Sequence, residues 1–274
     1  MITYTGSANL STTIQIPQDL DNADANSVNL AAKAELDNQV TLLKLYGQIM
    51  SSTSPIKIDS TNGTDIIVSP LSNVLVQTLG TWTVLTTSLA TTLTAANIEG
   101  GGAFDTNKWY YIYVWSLAGV PQFQLSIIPP DGYGLYKNGS FGYKYLGSIR
   151  TDSGGTIYKF HKYNGITLYS ELHPIGAGAS LTRTSLSASS FIPPTARMGK
   201  FCILVNTSLG SLSGELRLYE DNTTTAYTSV TYPANSYQSL YLDHTIDASQ
   251  TIYYNVPVVT GTLGINYYCQ GYYE

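Results

Sequence analysis

The chain has 274 residues and a formal net charge of −5, from 18 Asp and Glu against 13 Lys and Arg. That length predicts two packed cores plus an N-terminal appendage, and the acidic balance without a basic patch argues against nucleic acid or an anionic membrane as partner. Charged residues make up 11% of the chain and Tyr occurs 23 times, so solubility rests on hydroxyls and amides, a composition suited to surfaces that lie against other subunits.

The opening MITYTGSANLSTTIQIP has neither a basic n-region nor a continuous apolar stretch, so it does not read as a signal peptide. No apolar run approaches the ~20 residues of a membrane helix. The expectation is a chain made in the cytosol and not exported by the general secretory route. Residues 1–22 read as an extended arm that runs into the acidic turn QDLDNADAN. Asp24 or Asn26 can cap a helix there and set negative charge at the positive end of its dipole.

The next segment, 23–50, is dense in Ala and Leu and contains no Pro, so propensity and apolar spacing agree on a helix about 42 Å long. Leu36, Val40, Leu43, Gly47 and Met50 follow the alternating four-three spacing of a coiled-coil seam, with Leu36, Val40, Leu43 and Met50 as the candidate interface residues. Leu42, Leu45 and Ile49 add a second stripe beside it. A face that wide suits either a three-helix bundle built from three copies or one helix packed on its own β domain.

After SSTSP the chain reads as β. Short strands are expected over 56–58, 66–68, 74–79 and 81–85, followed by the Gly100-Gly101-Gly102 break. In KWYYIYVW both faces are apolar, which predicts a central strand covered on each side. QFQLSI alternates, with Phe123, Leu125 and Ile127 inward. Turn signals at Asp131-Gly132, Asn138-Gly139, 152–155 and Asn164-Gly165 punctuate further strands, the last two bracketing a meander over 143–151, 156–163 and 166–172. IGAGASLTRTSLSASS reads as a connection that can carry an edge strand, and Pro193-Pro194 opens a second β unit with strands over 200–205, 214–219, 226–231, 238–242, 251–256 and 263–272. The fold class is therefore mainly β: an N-terminal helix followed by two β-sandwich or jelly-roll-like modules, 51–175 and 191–274, joined by a linker over 176–190.

Little in the chain points to catalysis. His161, His173 and His244 lack metal-ligand spacing, and Cys202 and Cys269 sit in strand-like runs, as buried free thiols do. No nucleophile elbow or phosphate-cradling glycine loop occurs. Two carboxylates about 5 to 9.5 Å apart would be needed for glycoside hydrolysis. Asp131, Asp152, Glu171, Glu220, Asp221, Asp243 and Asp247 are the available acids, but most occupy turn positions where Asp serves turn geometry. No catalytic, metal-binding or cofactor-binding residue is assigned, and no cofactor is expected. Tyrosine is the unusual resource: Tyr253, Tyr268 and Tyr272 are candidate contacts to a glycan or partner, since an aromatic face with a polar tip suits sugar rings and protein surfaces alike.

The order of segments resembles a known group. IQIPQDLDNADANSVNLAAKAELDNQVTLL is similar to the N-terminal portion of tailed-bacteriophage fibre and appendage proteins. WYYIYVW with GYKYLGSIRTDSGGTIYKFHKYNG resembles the β module that comes after it there, and SSFIPPTARMGKFCILV with INYYCQGYYE resembles the terminal one. The resemblance implies a non-enzymatic structural protein of the virion, a homotrimer anchored to other virion proteins by its N-terminal arm, with distal β domains available to a host surface. No shaft comes after the helix, which favours a short head or tail fibre, or a baseplate or collar appendage. A small phage polysaccharide depolymerase is the enzymatic alternative, and a bacterial adhesin or inclusion-type structural protein a third reading.

Overall fold

The computed structural model describes residues 2–5, 13–16, 56–78, 81–132, 134–207, 213–257 and 263–274. The helix expected over 23–50, with Leu36, Val40, Leu43 and Met50, lies outside the described residues. Within them the protein is mainly β. The strands in chain order are β1 (Ile2–Thr5), β2 (Thr13–Ile16), β3 (Ile58–Ser60), β4 (Ile66–Val68), β5 (Val74–Thr78), β6 (Thr81–Leu85), β7 (Thr91–Leu93), β8 (Trp109–Leu117), β9 (Val120–Ser126) and β10 (Tyr136–Lys137). They continue as β11 (Ser140–Arg150), β12 (Phe160–Tyr163), β13 (Ile166–Ala177), β14 (Thr184–Ser187), β15 (Met198–Thr207), β16 (Gly214–Tyr219), β17 (Thr228–Tyr232), β18 (Tyr237–Thr245), β19 (Thr251–Asn255) and β20 (Leu263–Tyr273).

The strands form an eight-stranded antiparallel sheet, β18-β15-β20-β13-β12-β3-β4-β7, two four-stranded sheets, β10-β11-β8-β9 and β14-β19-β16-β17, and the two-stranded sheets β5-β6 and β1-β2. The expectation for KWYYIYVW holds. β8 is an inner strand, and every residue from Tyr110 to Val114 is at most 4% exposed, so both faces are covered. Asn164-Gly165 forms the two-residue turn between β12 and β13, with φ of +53° and +76°, the left-handed pair that matches strand twist in a tight hairpin.

Two expectations need correction. Ile127 does not face inward: β9 ends at Ser126, and Ile127 lies beyond the ladder, 61% exposed. The boundary at 176–190 does not separate two sheets either. β13 continues through Ala177 and pairs with β20, while β14 forms inside the expected linker and pairs with β19. The eight-stranded sheet thus takes strands from both halves, and one hydrophobic cluster runs from Ile58, Ile112 and Phe160 to Ile203, Leu218 and Tyr272. Sequence spacing cannot show this, because the pairing of β13 with β20 is set by side chains about a hundred residues apart. Cys202 and Cys269 are free and buried, as expected.

A single irregularity in β20 sets the direction of its last side chains. Along this strand, Ile265, Tyr267 and Cys269 face the core at 0–1% exposure. Phe201 on β15 pairs with Cys269 but Lys200 pairs with Gly271, so Gln270 is an extra residue, a β-bulge. An inserted residue reverses the two-residue alternation of a strand. Tyr272 and Glu274 therefore turn inward, where an unbroken ladder would have turned Gly271 and Tyr273.

A buried carboxylate and an aromatic cradle

The side chain of Glu274 is 4% exposed and meets the Lys162 ammonium, itself 7% exposed on β12, in a direct ion pair. Oε1 accepts from the Tyr145 hydroxyl, from Ser148 Oγ at 2.6 Å and from Thr195 Oγ1 at 2.7 Å. Oε2 takes the Lys162 ammonium and the Ser148 amide at 3.3 Å. Burial alone would raise the carboxyl's pKa, but the Lys162 charge and these hydrogen bonds outweigh it and hold the value below the ordinary 4.5. Burial, with the Glu274 charge adding to it, pushes the Tyr145 and Tyr272 phenols well up, so both remain protonated donors. Space for the lysine comes from a register shift in β11 between Tyr145 and Gly147. A Cβ on Gly147 would sit 2.8 Å from Lys162 Nζ. The centre ties β11, β12 and β20 together. Both charges are shielded from solvent, so its role is to anchor the sheets against one another.

Tyr272 carries that anchor to the surface. Its hydroxyl donates to Ser148 O at 3.1 Å, and its ring meets Trp109 edge-on at 6.1 Å and Tyr169 at 6.1 Å. Beyond Tyr169 lies a set of half-buried rings. His173 stacks on Phe191 with centroids 4.7 Å apart and planes within 7°, and Tyr158 closes on both, at 4.5 Å from His173 and 5.6 Å from Phe191. Burial lowers the His173 pKa, with Glu171 opposing, which favours the neutral ring at pH 7. Trp109 Nε1 donates to Ser189 O at 3.3 Å and so fixes the 188–192 turn against the start of β8.

Arg150 completes this cradle. It pairs across the ladder with Trp109 and lays its guanidinium over the indole, 5.4 Å from the ring centroid. Its backbone carbonyl accepts from Tyr158 N at 3.0 Å, which places the phenol next to it. The Nε is out of solvent reach with no hydrogen-bond partner, and Arg150 joins no ion pair among the described residues. Several other cations are committed to acids: Lys57 to Asp59, Lys137 to Glu99, Lys200 to Asp243 and Arg217 to Glu215. Arg183 donates to the carbonyls of Asp221 and Thr224. Burial lowers the Arg150 pKa, the mark of a charge that lacks a counter-ion.

The tyrosines singled out from sequence divide. Tyr272 is 1% exposed and belongs to the core, which removes it as a glycan contact; the bulge at Gln270 is the reason. Tyr253 is half-buried on β19, with its hydroxyl on Asp247 at 3.2 Å. Tyr268 is half-buried on the outer side of β20, opposite Cys202 and Pro174. The structure does not bring these three together. The cradle residues Trp109, Arg150, Tyr158, His173 and Phe191 were not singled out, since only the strand pairings and the 188–192 turn assemble them.

Of the seven acids, Asp131, Asp152, Asp221 and Asp247 occupy turns, as their spacing suggested, while Glu171 lies on β13 and Asp243 on β18. Asp152 Oδ1 accepts from Gly154 N at 2.7 Å and Thr156 N at 2.9 Å; Asp247 Oδ1 accepts from Ser249 N and Thr251 N, both at 2.8 Å. Asp131 accepts from Leu135 N at 3.0 Å, and Asp221 from Thr223 N and Thr224 N at 2.6 Å. A cleft of about 280 Å³ lies between Glu99, Gly101, Gly102, Asp105 and Tyr110, but Glu99 is held by Lys137 and Ser126. No cluster of His, Cys, Asp and Glu that could hold a metal ion occurs among the described residues. No protein-family model and no curated protein matches the chain.

Proposed function

We propose that this protein is a non-enzymatic structural component of a tailed-phage virion: a short head or tail fibre, or a baseplate or collar appendage. In this reading it is assembled in the host cytoplasm as a homotrimer through the N-terminal helix, and its β-sandwich modules contact glycan on the host surface. The observation that carries the reading is the division of labour among side chains. Most of the candidate acids are consumed in turns and ion pairs, while half-buried aromatic rings around the unpaired Arg150 guanidinium are left at the surface. Such a surface suits recognition better than bond cleavage, and threefold association would multiply weak contacts into useful avidity.

Native mass measurement on the full chain tests the assembly: a trimer is expected, and Val40→Asp with Leu43→Asp should dissociate it to monomers. Light scattering that gives the double variant an unchanged mass would reject the seam. Incubation with purified host envelope polysaccharide tests the chemistry. Binding without release of reducing ends is expected, and steady release would replace this reading with a depolymerase.

A further inference from the structure

We infer that the cradle around Arg150 is a binding site for a sugar carboxylate, the uronic-acid type of unit found in acidic polysaccharides; this rests on the glycan-contact reading above and names its substrate class. The guanidinium lies against Trp109 with Nε turned away from solvent and no protein partner. Its terminal nitrogens have no hydrogen-bond partner among the described residues and are not among the atoms cut off from solvent. Two parallel N–H donors in one plane match the two oxygens of a carboxylate, and the contact with the indole face helps to hold the guanidinium in place before a ligand arrives. Preorganisation of this kind reduces the ordering cost of binding.

The number of charges selects the anion. The cradle supplies one positive charge, which balances a carboxylate but leaves a phosphate dianion half-neutralised. The rest of the site suits a pyranose ring. Phe191, Tyr158 and neutral His173 pack on one another as half-buried rings, an apolar group of the kind that meets the C–H face of a sugar. Ser187 and Ser189 are exposed, their hydroxyls 3.0 Å apart, and Ser189 is tied to Trp109, so hydroxyl partners stand at the rim. Two acids lie near. Asp152 is engaged by its own turn amides, and Glu171, exposed on β13, points its influence at His173.

The test uses the full chain with two probes: a disaccharide of glucuronic acid and N-acetylglucosamine, and its carboxyl-reduced neutral counterpart. Binding is read by tryptophan fluorescence and by saturation-transfer NMR. The acidic disaccharide should bind at least about tenfold more tightly, the range of one charge-assisted hydrogen-bonded pair, and added salt should narrow the gap. Arg150→Gln should erase the preference, bringing the affinity for the acidic sugar down to that for the neutral one, in a protein that still unfolds cooperatively. Arg150→Lys, which keeps the charge but not the fork, should fall between. Phe191→Ser should weaken both sugars together. Equal affinity of the native chain for both sugars would overturn the carboxylate assignment and leave glycan contact standing. A preference that survives Arg150→Gln would place the site elsewhere. Binding of neither sugar by a chain that is trimeric by native mass would reject the site and spare the virion reading.

Discussion

Replacing Glu274 by Gln is the most searching perturbation of this fold. The substitution keeps shape and removes charge, which leaves the Lys162 ammonium 7% exposed with no counter-ion. It also presents the Tyr145, Ser148 and Thr195 hydroxyls with a single carbonyl oxygen in place of a carboxylate. Removing one member of a buried ion pair costs about 3–5 kcal/mol. In a chain of this size that corresponds to a fall of roughly 6–20 °C in melting temperature. Lys162→Met in the Glu274→Gln background should recover part of the loss, because no unpaired charge then remains. The pH dependence has a definite sign. Glu274 has a folded-state pKa below 4.5, so its contribution is complete above the unfolded value and is lost as pH falls through the folded one. Urea unfolding at several pH values should show the gap between native and Glu274→Gln proteins open at pH 7 and closing below about pH 4.5. A gap under about 1 kcal/mol at pH 7, or one that does not change down to pH 3.5, would show that the pair carries no such weight.

Gly271→Ala tests the bulge directly. A Cβ there would lie 2.0 Å from the Thr167 carbonyl oxygen, and since that atom belongs to the backbone of the paired strand, the β13–β20 ladder should be disrupted at a cost of about 3 kcal/mol or more, with early hydrogen exchange across β20. Asp152→Ala should lower stability by only about 1 kcal/mol by freeing the Gly154 and Thr156 amides. It should leave sugar binding intact, and loss of binding in a folded Asp152→Ala protein would move the recognition site toward this turn.

Much of the architecture is written in local pattern. The double-faced apolar run of β8, the Asn164-Gly165 hairpin and the turn-forming aspartates follow from strand alternation and left-handed turn geometry, and each is legible in the sequence where the structure has it. Ile127 is misplaced by the same reasoning because alternation continues in the sequence past the point where hydrogen bonding stops. The buried centre is not legible because its members are brought together only by the order of strands. Lys162 and Glu274 are 112 positions apart, and neither sits in a motif that marks it as anything but a solvated charge. Tyr272 illustrates the other limit. Counted from Tyr267 by twos, it belongs on the outer face with Tyr268, and only the extra residue Gln270 in the ladder reverses that.

The same reversal links the anchor to the cradle. Without the bulge, Tyr272 and Glu274 would face away from β11, and Ser148 would lose both its tyrosine and its carboxylate partner. Ser148 pairs with Tyr111 on β8, two residues from the pair Arg150 and Trp109. Fixing Ser148 therefore fixes the strand segment from which the guanidinium is presented, and Tyr272 meets the edge of the indole that carries it. A surface ring set on two strands would otherwise be free to adjust its rotamers. Here the arginine and its platform are backed by a buried charge pair and a buried phenol. Rigid placement of a single charge is what discrimination between an acidic sugar and its neutral analogue requires. The buried carboxylate acts on recognition through this chain of contacts, without touching the ligand, so the anchor and the cradle form one mechanical unit.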